Sequence, residues 1–340
     1  MKKTVANELN LALDRLLSSN KYVHILGEDI LDPYGGAFKV TKGLSTKYPL
    51  QVHCTPVSEA AIVGIASGLA MRGIIPIVEI MFGDFITLSM DQIVNHISKY
   101  KWMYNNQVEF SLVIRTPMGG GRGYGPTHSQ SLEKLFLGVP FLKIVALSYY
   151  HNVGELLESA VVKDKGPVLF IENKRLYSEE LREEKKGFVD EFSIRQYADK
   201  DLYPTILLST NNFKETDVTV LTYGGMVTLV EQAALEVLIE EEIFVEMVVP
   251  SLIKPFDADV LEESLSKTGR LIIVEEGTIT GGWGAEVASV VQEKYFGYLK
   301  SPVLRIASRD LPIPSAKYLE SLVLPSKEDV KNKIKRIYRC

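Results

Sequence analysis

Short apolar runs alternate with amphipathic stretches along almost all of this 340-residue chain, and that rhythm constrains the fold more than any single motif. Val5, Leu9, Ala12, Leu13 and Leu16 recur at three- and four-residue steps, which predicts a helix with one buried face. Residues 22–26 then read as a buried strand ending at Gly27-Glu28-Asp29. A helix is expected over 58–72, with Ser58 as its N-cap and Gly73 closing it. Strands follow at 76–80, 110–115, 142–147 and 168–172, with helices at 85–104 and 153–163 between them. Strands alternating with helices imply an α/β fold with a largely parallel sheet covered on both faces.

The rhythm breaks once. From 179 to 201, 13 of 23 residues are charged, and so polar a stretch reads as an exposed connector. Alternation then resumes with strands at 217–223, 244–249, 271–275 and 303–307 and helices at 227–238, 258–266 and 284–295. The expected plan is a first domain over 1–185, a charged connector over 186–214, and a smaller α/β domain over 215–340. Lysines and arginines at 331, 333, 335, 336 and 339 read as a solvated helix face rather than a binding patch.

Composition excludes several classes. Thirty-eight basic residues against 43 acidic ones leave a net charge of −5, so nothing argues for nucleic acid or an anionic membrane as partner. No apolar run approaches 18 residues and no signal-peptide core follows Met1-Lys2-Lys3. Two cysteines, Cys54 and Cys340, make no disulfide framework and point to a reducing, cytoplasmic compartment. Five scattered histidines show no ligand spacing, so no metal-binding residue is assigned.

In parallel α/β sheets, ligands sit at the carboxyl ends of strands. Glu28 follows the first strand, Glu59 opens the helix after the second extended segment, and His128 follows a loop with glycines at 119, 120, 121, 123 and 125. Each also has a plain structural reading. Glu28 could cap a neighbouring helix, Glu59 could answer a helix dipole, and His128 could bond its own loop. The loop matches neither dinucleotide nor P-loop spacing. Its glycines nevertheless imply a close backbone approach to a ligand or to another chain.

Read as connected text, these residues resemble one family. Gly27-Glu28-Asp29, the run Gly35 to Leu44, Ser58-Glu59-Ala60, Asp84-Phe85, Asp91-Gln92, Arg115-Thr116-Pro117, His128-Ser129-Gln130-Ser131-Leu132-Glu133, Glu276-Gly277, Gly281-Gly282-Trp283-Gly284 and Leu319-Glu320 occur in the family's order. The chain resembles the beta subunit of the thiamine-diphosphate-dependent first component of 2-oxo-acid dehydrogenase complexes, of pyruvate, branched-chain or acetoin type. The resemblance implies a transketolase-like fold, a pyrimidine-binding domain followed by a C-terminal domain. It implies a site shared with an alpha subunit in a heterotetramer of two alpha and two beta chains. The alpha chain would bind the diphosphate through Mg²⁺, consistent with the lack of a Gly-Asp-Gly here. At 340 residues the chain also has no room for a diphosphate domain.

By the same resemblance, Glu59 hydrogen-bonds the cofactor's aminopyrimidine ring, Phe85 lies against that ring, Glu28 stands beside it, and His128 assists proton transfer. Decarboxylation of a 2-oxo acid, with acyl transfer to a lipoyl acyltransferase, is the implied reaction. A potassium site built from carbonyls near Leu112 and Ala160 occurs in some members. Here the segment from Ala160 to Pro167 is one residue longer than usual. Cys54 replaces a usual acid, and Leu147 to Asn152 replaces a proline-containing loop. These departures leave two other readings open, a carboligase or decarboxylase subunit of a specialised pathway and a non-catalytic scaffold subunit.

Overall fold

A computed structural model describes residues 3–182, 188–189, 191–197 and 202–339. The chain divides into two units, Met1–Met118 with Leu135–Leu181, and Gly119–Lys134 with Arg182–Cys340.

In the first unit, α1 (Val5–Ser19) starts at Thr4, whose side chain accepts the Asn7 amide, and it buries Val5, Leu9, Ala12, Leu13, Leu16 and Leu17. Its sheet contains β1 (Val23–Gly27), β2 (Val52–Cys54), β3 (Ile75–Glu79), β4 (Leu112–Met118), β5 (Lys143–Ala146) and β6 (Pro167–Asn173). They lie in the order β5-β6-β4-β3-β1-β2, all parallel. Every residue of β4 and β6 is buried, as expected of strands covered on both faces, including the polar Arg115, Thr116, Glu172 and Asn173. Two helices follow β1 and β2: α2 (Leu44–Lys47) and α3 (Glu59–Met71). Ser58 caps α3 by accepting the Ala61 amide, and Gly73 leaves it at φ +83°.

The long helix expected over 85–104 is instead three pieces. A 3₁₀ segment (Gly83–Ser89) and a π-helical segment (Gln92–Ile97) precede α4 (Tyr100–Met103). The buried residues Ile86, Ser89, Ile93 and Ile97 step by three and then by four. Periodicity reveals such a face but not the pitch that produces it. After β5, Asn152 caps α5 (Val153–Glu158) by accepting the Glu155 amide, and His151 Nδ1 accepts the Ser148 amide at 3.1 Å. The loop that departs from the family pattern thus keeps its cap. A π-helical turn (Ser159–Lys163) continues α5, with the Asp164 amide reaching back to Ser159 O at 2.9 Å.

The second unit holds β7 (Phe188–Val189), β8 (Phe192–Gln196), β9 (Thr205–Ser209), β10 (Val218–Thr222), α6 (Val227–Glu241), β11 (Val245–Pro250), β12 (Leu252–Lys254), α7 (Glu262–Thr268), β13 (Leu271–Thr278), α8 (Trp283–Tyr295), β14 (Leu304–Ser308), α9 (Lys317–Ser321) and α10 (Lys327–Tyr338). Its sheet order is β14-β13-β10-β11-β9-β8-β7. The four strands from β14 to β11 are parallel, whereas β9, β8 and β7 run antiparallel.

The last three correct the sequence reading. Within the expected connector, β8 and β9 are sheet strands with Phe192, Ile206, Leu207 and Leu208 buried. Residues 183–187, 190 and 198–201 of that stretch lie outside the described residues. The basic face of α10 is partly exposed and is also paired with α6. Lys331 and Lys335 each bond Glu240 at 2.8 Å, Lys335 bonds Glu241 at 2.8 Å, and Lys327 bonds Glu236, all on α6. Among the described residues, no helix is long and apolar enough to cross a membrane.

Candidate active site

The first sheet reverses direction at β1. The chain steps outward from β1 to β2, then returns to place β3 on the other side of β1. That reversal opens a crevice at the carboxyl ends of β1 and β3, where open α/β sheets bind ligands. Glu28 is the first residue beyond β1, and Gly83–Ser89, which carries Phe85, follows β3.

Glu28 and Glu59 are both buried, at 6% and 5% exposure. Glu59 reaches its position as the first residue of α3, just past β2. Burial raises the pKa of Glu28, the nearby Glu59 carboxylate raises it further, and a hydrogen bond from the Ser58 amide opposes both. Oε1 of Glu28 is buried with no hydrogen-bond partner. A buried acceptor without a donor is costly, and two adjacent carboxyl groups call for a ligand rich in N–H donors. An aminopyrimidine is such a ligand, so these residues fit the cofactor's pyrimidine end. Phe85 is half-buried and packs edge-on against Phe82 at 5.8 Å between centroids. Phe82 in turn meets Phe38, with a centroid distance of 5.6 Å.

Under this crevice lies a charge network that sequence reasoning missed. Arg115 of β4, 1% exposed, makes a two-point contact with Glu172 of β6 at 2.7 and 3.0 Å, and bonds Glu79 of β3 at 2.9 Å. Tyr177 donates to Glu172 at 2.7 Å. Both carboxylates push the Arg115 pKa up despite its burial, while Glu79 is pushed up by burial against the pull of Arg115. Gly36, at φ +79°, lies so close to Glu79 that a Cβ there would meet Oε1 at 2.7 Å. The network therefore also seats the Gly35–Leu44 motif loop.

His128 stands in the second unit. It is half-buried, its amide bonds Gly125 O at 3.3 Å, and its Nδ1 lies 3.0 Å from Thr127 Oγ1. The glycine loop before it is occupied by the protein's own carboxylates. Glu276 Oε1 accepts the Gly120 amide at 2.7 Å, and Glu320 accepts those of Gly121 and Gly123 at 2.8 and 3.1 Å. The close approach expected from sequence, to a ligand or another chain, is here made instead by two carboxylates of this same chain. Beyond His128, Tyr223 donates to Glu133, whose pKa burial pushes up to about 7, with the charges of Glu275 and Glu276 adding to the shift. Glu275 accepts the Gly284 amide at 3.1 Å and pairs with Arg305 at 3.1 Å, which accounts for the Gly281–Gly284 motif.

Two family models match this chain, the transketolase pyrimidine binding domain over residues 1–180 and the transketolase C-terminal domain over 211–330. A pyruvate dehydrogenase E1 component subunit beta from Rickettsia bellii is 35% identical over 339 residues, covering 99% of both chains. The mitochondrial subunit beta-1 from Arabidopsis thaliana is 36% identical over 98% of this chain and 88% of its own length. The chain belongs to the family of pyruvate dehydrogenase E1 component beta subunits. A solved structure described as a split-gene transketolase, an inactive beta4 tetramer, matches 99% of each chain with a TM-score of 0.74 at 21% identity. It shows the transketolase-like fold. The boundary between the two matches near residue 180 differs from the division of this chain into units. Gly119–Lys134 lies inside the pyrimidine-domain match yet packs with the second unit.

Proposed function

We propose that this chain is the beta subunit of a thiamine-diphosphate-dependent 2-oxo-acid dehydrogenase first component, acting on pyruvate or a close 2-oxo acid. The observation that carries the reading is the unpartnered, buried Oε1 of Glu28 beside Glu59 at the sheet's reversal point. A scaffold subunit gains nothing from two adjacent buried carboxyl groups whose hydrogen bonding is incomplete. The bound cofactor supplies an electron sink for decarboxylation. Glu59 holds the aminopyrimidine by a carboxyl hydrogen bond, Glu28 shares the proton held at this end, and Phe85 gives the ring an apolar wall. His128 moves a proton at the substrate side.

The partners in this reading are an alpha subunit, in an assembly of two alpha and two beta chains, and a lipoyl acyltransferase that takes the acyl group. Mg²⁺ is held mainly by alpha, and a potassium ion near Leu112 and Ala160 belongs to the same reading. The compartment is cytoplasmic on the grounds of cysteine usage.

The test is co-expression with an alpha chain carrying Gly-Asp-Gly, followed by reduction of an artificial electron acceptor with a 2-oxo-acid panel, thiamine diphosphate and Mg²⁺. Activity only in the assembled pair is the expected result. Silence across the panel, or full activity of Glu59→Ala, overturns the assignment.

A further inference from the structure

We propose that Glu276 and Glu320 are positioning residues for His128, holding the glycine loop that carries it by capturing the loop's backbone amides. The inference rests on the proton-transfer role given to His128 above.

The loop's glycines at 119, 121, 123 and 125 all have positive φ, between +72° and +95°, so their N–H groups can turn inward as an anion-binding nest does. Three of the loop's amides end on carboxylates of this chain, with Glu276 taking one and Glu320 taking two. Glu276 is 6% exposed and Glu320 2%, so solvent does not screen these bonds. Bonds from N–H to a carboxylate are roughly twice as strong as neutral ones. A Cβ on Gly120 would meet Leu324 Cδ1 at 2.8 Å, and one on Gly123 would meet Ser315 O at 3.0 Å. The backbone therefore has little room to shift. On the far side of His128, the Glu133–Tyr223 bond and Lys134 Nζ on Thr280 O at 2.7 Å fix the segment again. His128 lies in the segment spanned by these two anchors, which also holds Tyr124. Glu276 comes from β13 and Glu320 from α9, which gives the C-terminal half of the chain a defined part in placing a residue from the middle of the sequence.

The test uses the assembled alpha–beta complex. Glu320→Ala is expected to lower kcat by about 10- to 100-fold, as a displacement near 1 Å can do, with half-saturation by thiamine diphosphate unchanged. Combined with His128→Ala it adds no further loss, because a residue that acts only through His128 has nothing left to act on. Glu320→Gln, which preserves volume should the alanine variant fold poorly, turns one acceptor into a donor facing an amide and is also impaired. Glu276→Gln keeps Oε1 as an acceptor and recovers activity that Glu276→Ala loses. Amide exchange over 120–124 rises in Glu320→Ala. A wild-type rate in Glu320→Ala, losses that multiply in the double variant, or unchanged exchange overturns the proposal. Full activity of His128→Ala in a working complex, or a wild-type complex without activity, overturns the functional reading instead. In those cases amide exchange still decides the anchoring.

Discussion

Glu28 holds its proton more tightly than an ordinary glutamate, because it is buried and because the Glu59 carboxylate stands beside it. Glu59→Gln removes that charge, so the Glu28 pKa falls back toward the usual range, readable by infrared titration of the carboxylate band. The same variant loses about 100-fold or more in activity if Glu59 serves proton transfer. The sign for stability is the opposite of the usual carboxylate case. A raised folded pKa contributes stability below the usual carboxylate range that is lost as pH rises through the raised value. Glu28→Gln therefore raises the thermal midpoint more at mildly alkaline than at acid pH.

Arg115 answers two buried carboxylates at once. Arg115→Met leaves Glu79 and Glu172 uncompensated and is expected to cost about 3–5 kcal/mol in a denaturant titration. Tyr177→Phe removes one bond to a charged acceptor and costs less, about 1.5–3 kcal/mol.

Glu133 titrates near neutrality, at about 7, with Tyr223 holding that value down through its hydrogen bond. Tyr223→Phe drives the Glu133 pKa higher still. Since the raised carboxyl favours folding at acid pH and loses that contribution as pH rises through about 7, Glu133→Gln flattens the alkaline side of the stability profile. Thermal midpoints across the neutral range check this.

The ladder between α6 and α10 behaves in the opposite direction. Lys331 and Lys335 draw the Glu240 pKa down to about 2, so its contribution is present above the ordinary carboxylate range and is lost as pH falls toward that value. Amide exchange in Lys327–Tyr338 should accelerate in acid and in high salt, which screens exposed pairs. Equal exchange at low and high salt would remove the ladder as a cause of docking.

The parallel core was legible because buried strands such as β4, β6 and β10 are mainly apolar stretches bounded by turns, with only a few polar residues such as Arg115, Glu172 and Thr219 inside them. Strands β8 and β9 were not. Polar Ser193, Arg195 and Gln196 interleave with Phe192 and Ile194 in β8, and the surrounding charge density hid that short apolar pattern. The pitch changes at Gly83–Ser89 and Gln92–Ile97 left no mark on an apolar face whose spacing stays between three and four. At the site, Glu28, Glu59, Phe85 and His128 could be singled out by their place after strands and by family motifs. The anchors of the glycine loop could not be paired from sequence, because Gly120 and Glu276 lie 156 positions apart and Gly121 and Glu320 lie 199 apart. Only the fold brings the amides and carboxylates together.

Residues Gly119–Lys134 leave the first unit after β4 and return to it before β5, so the backbone passes between the units three times rather than once. A cut near residue 180 would not separate two self-sufficient halves. Nor is that boundary a safe place to splice this chain to a relative. A hybrid that takes its C-terminal half from another E1 beta chain must take residues 119–134 from the same donor, or its histidine loop will meet carboxylates fitted to a different sequence.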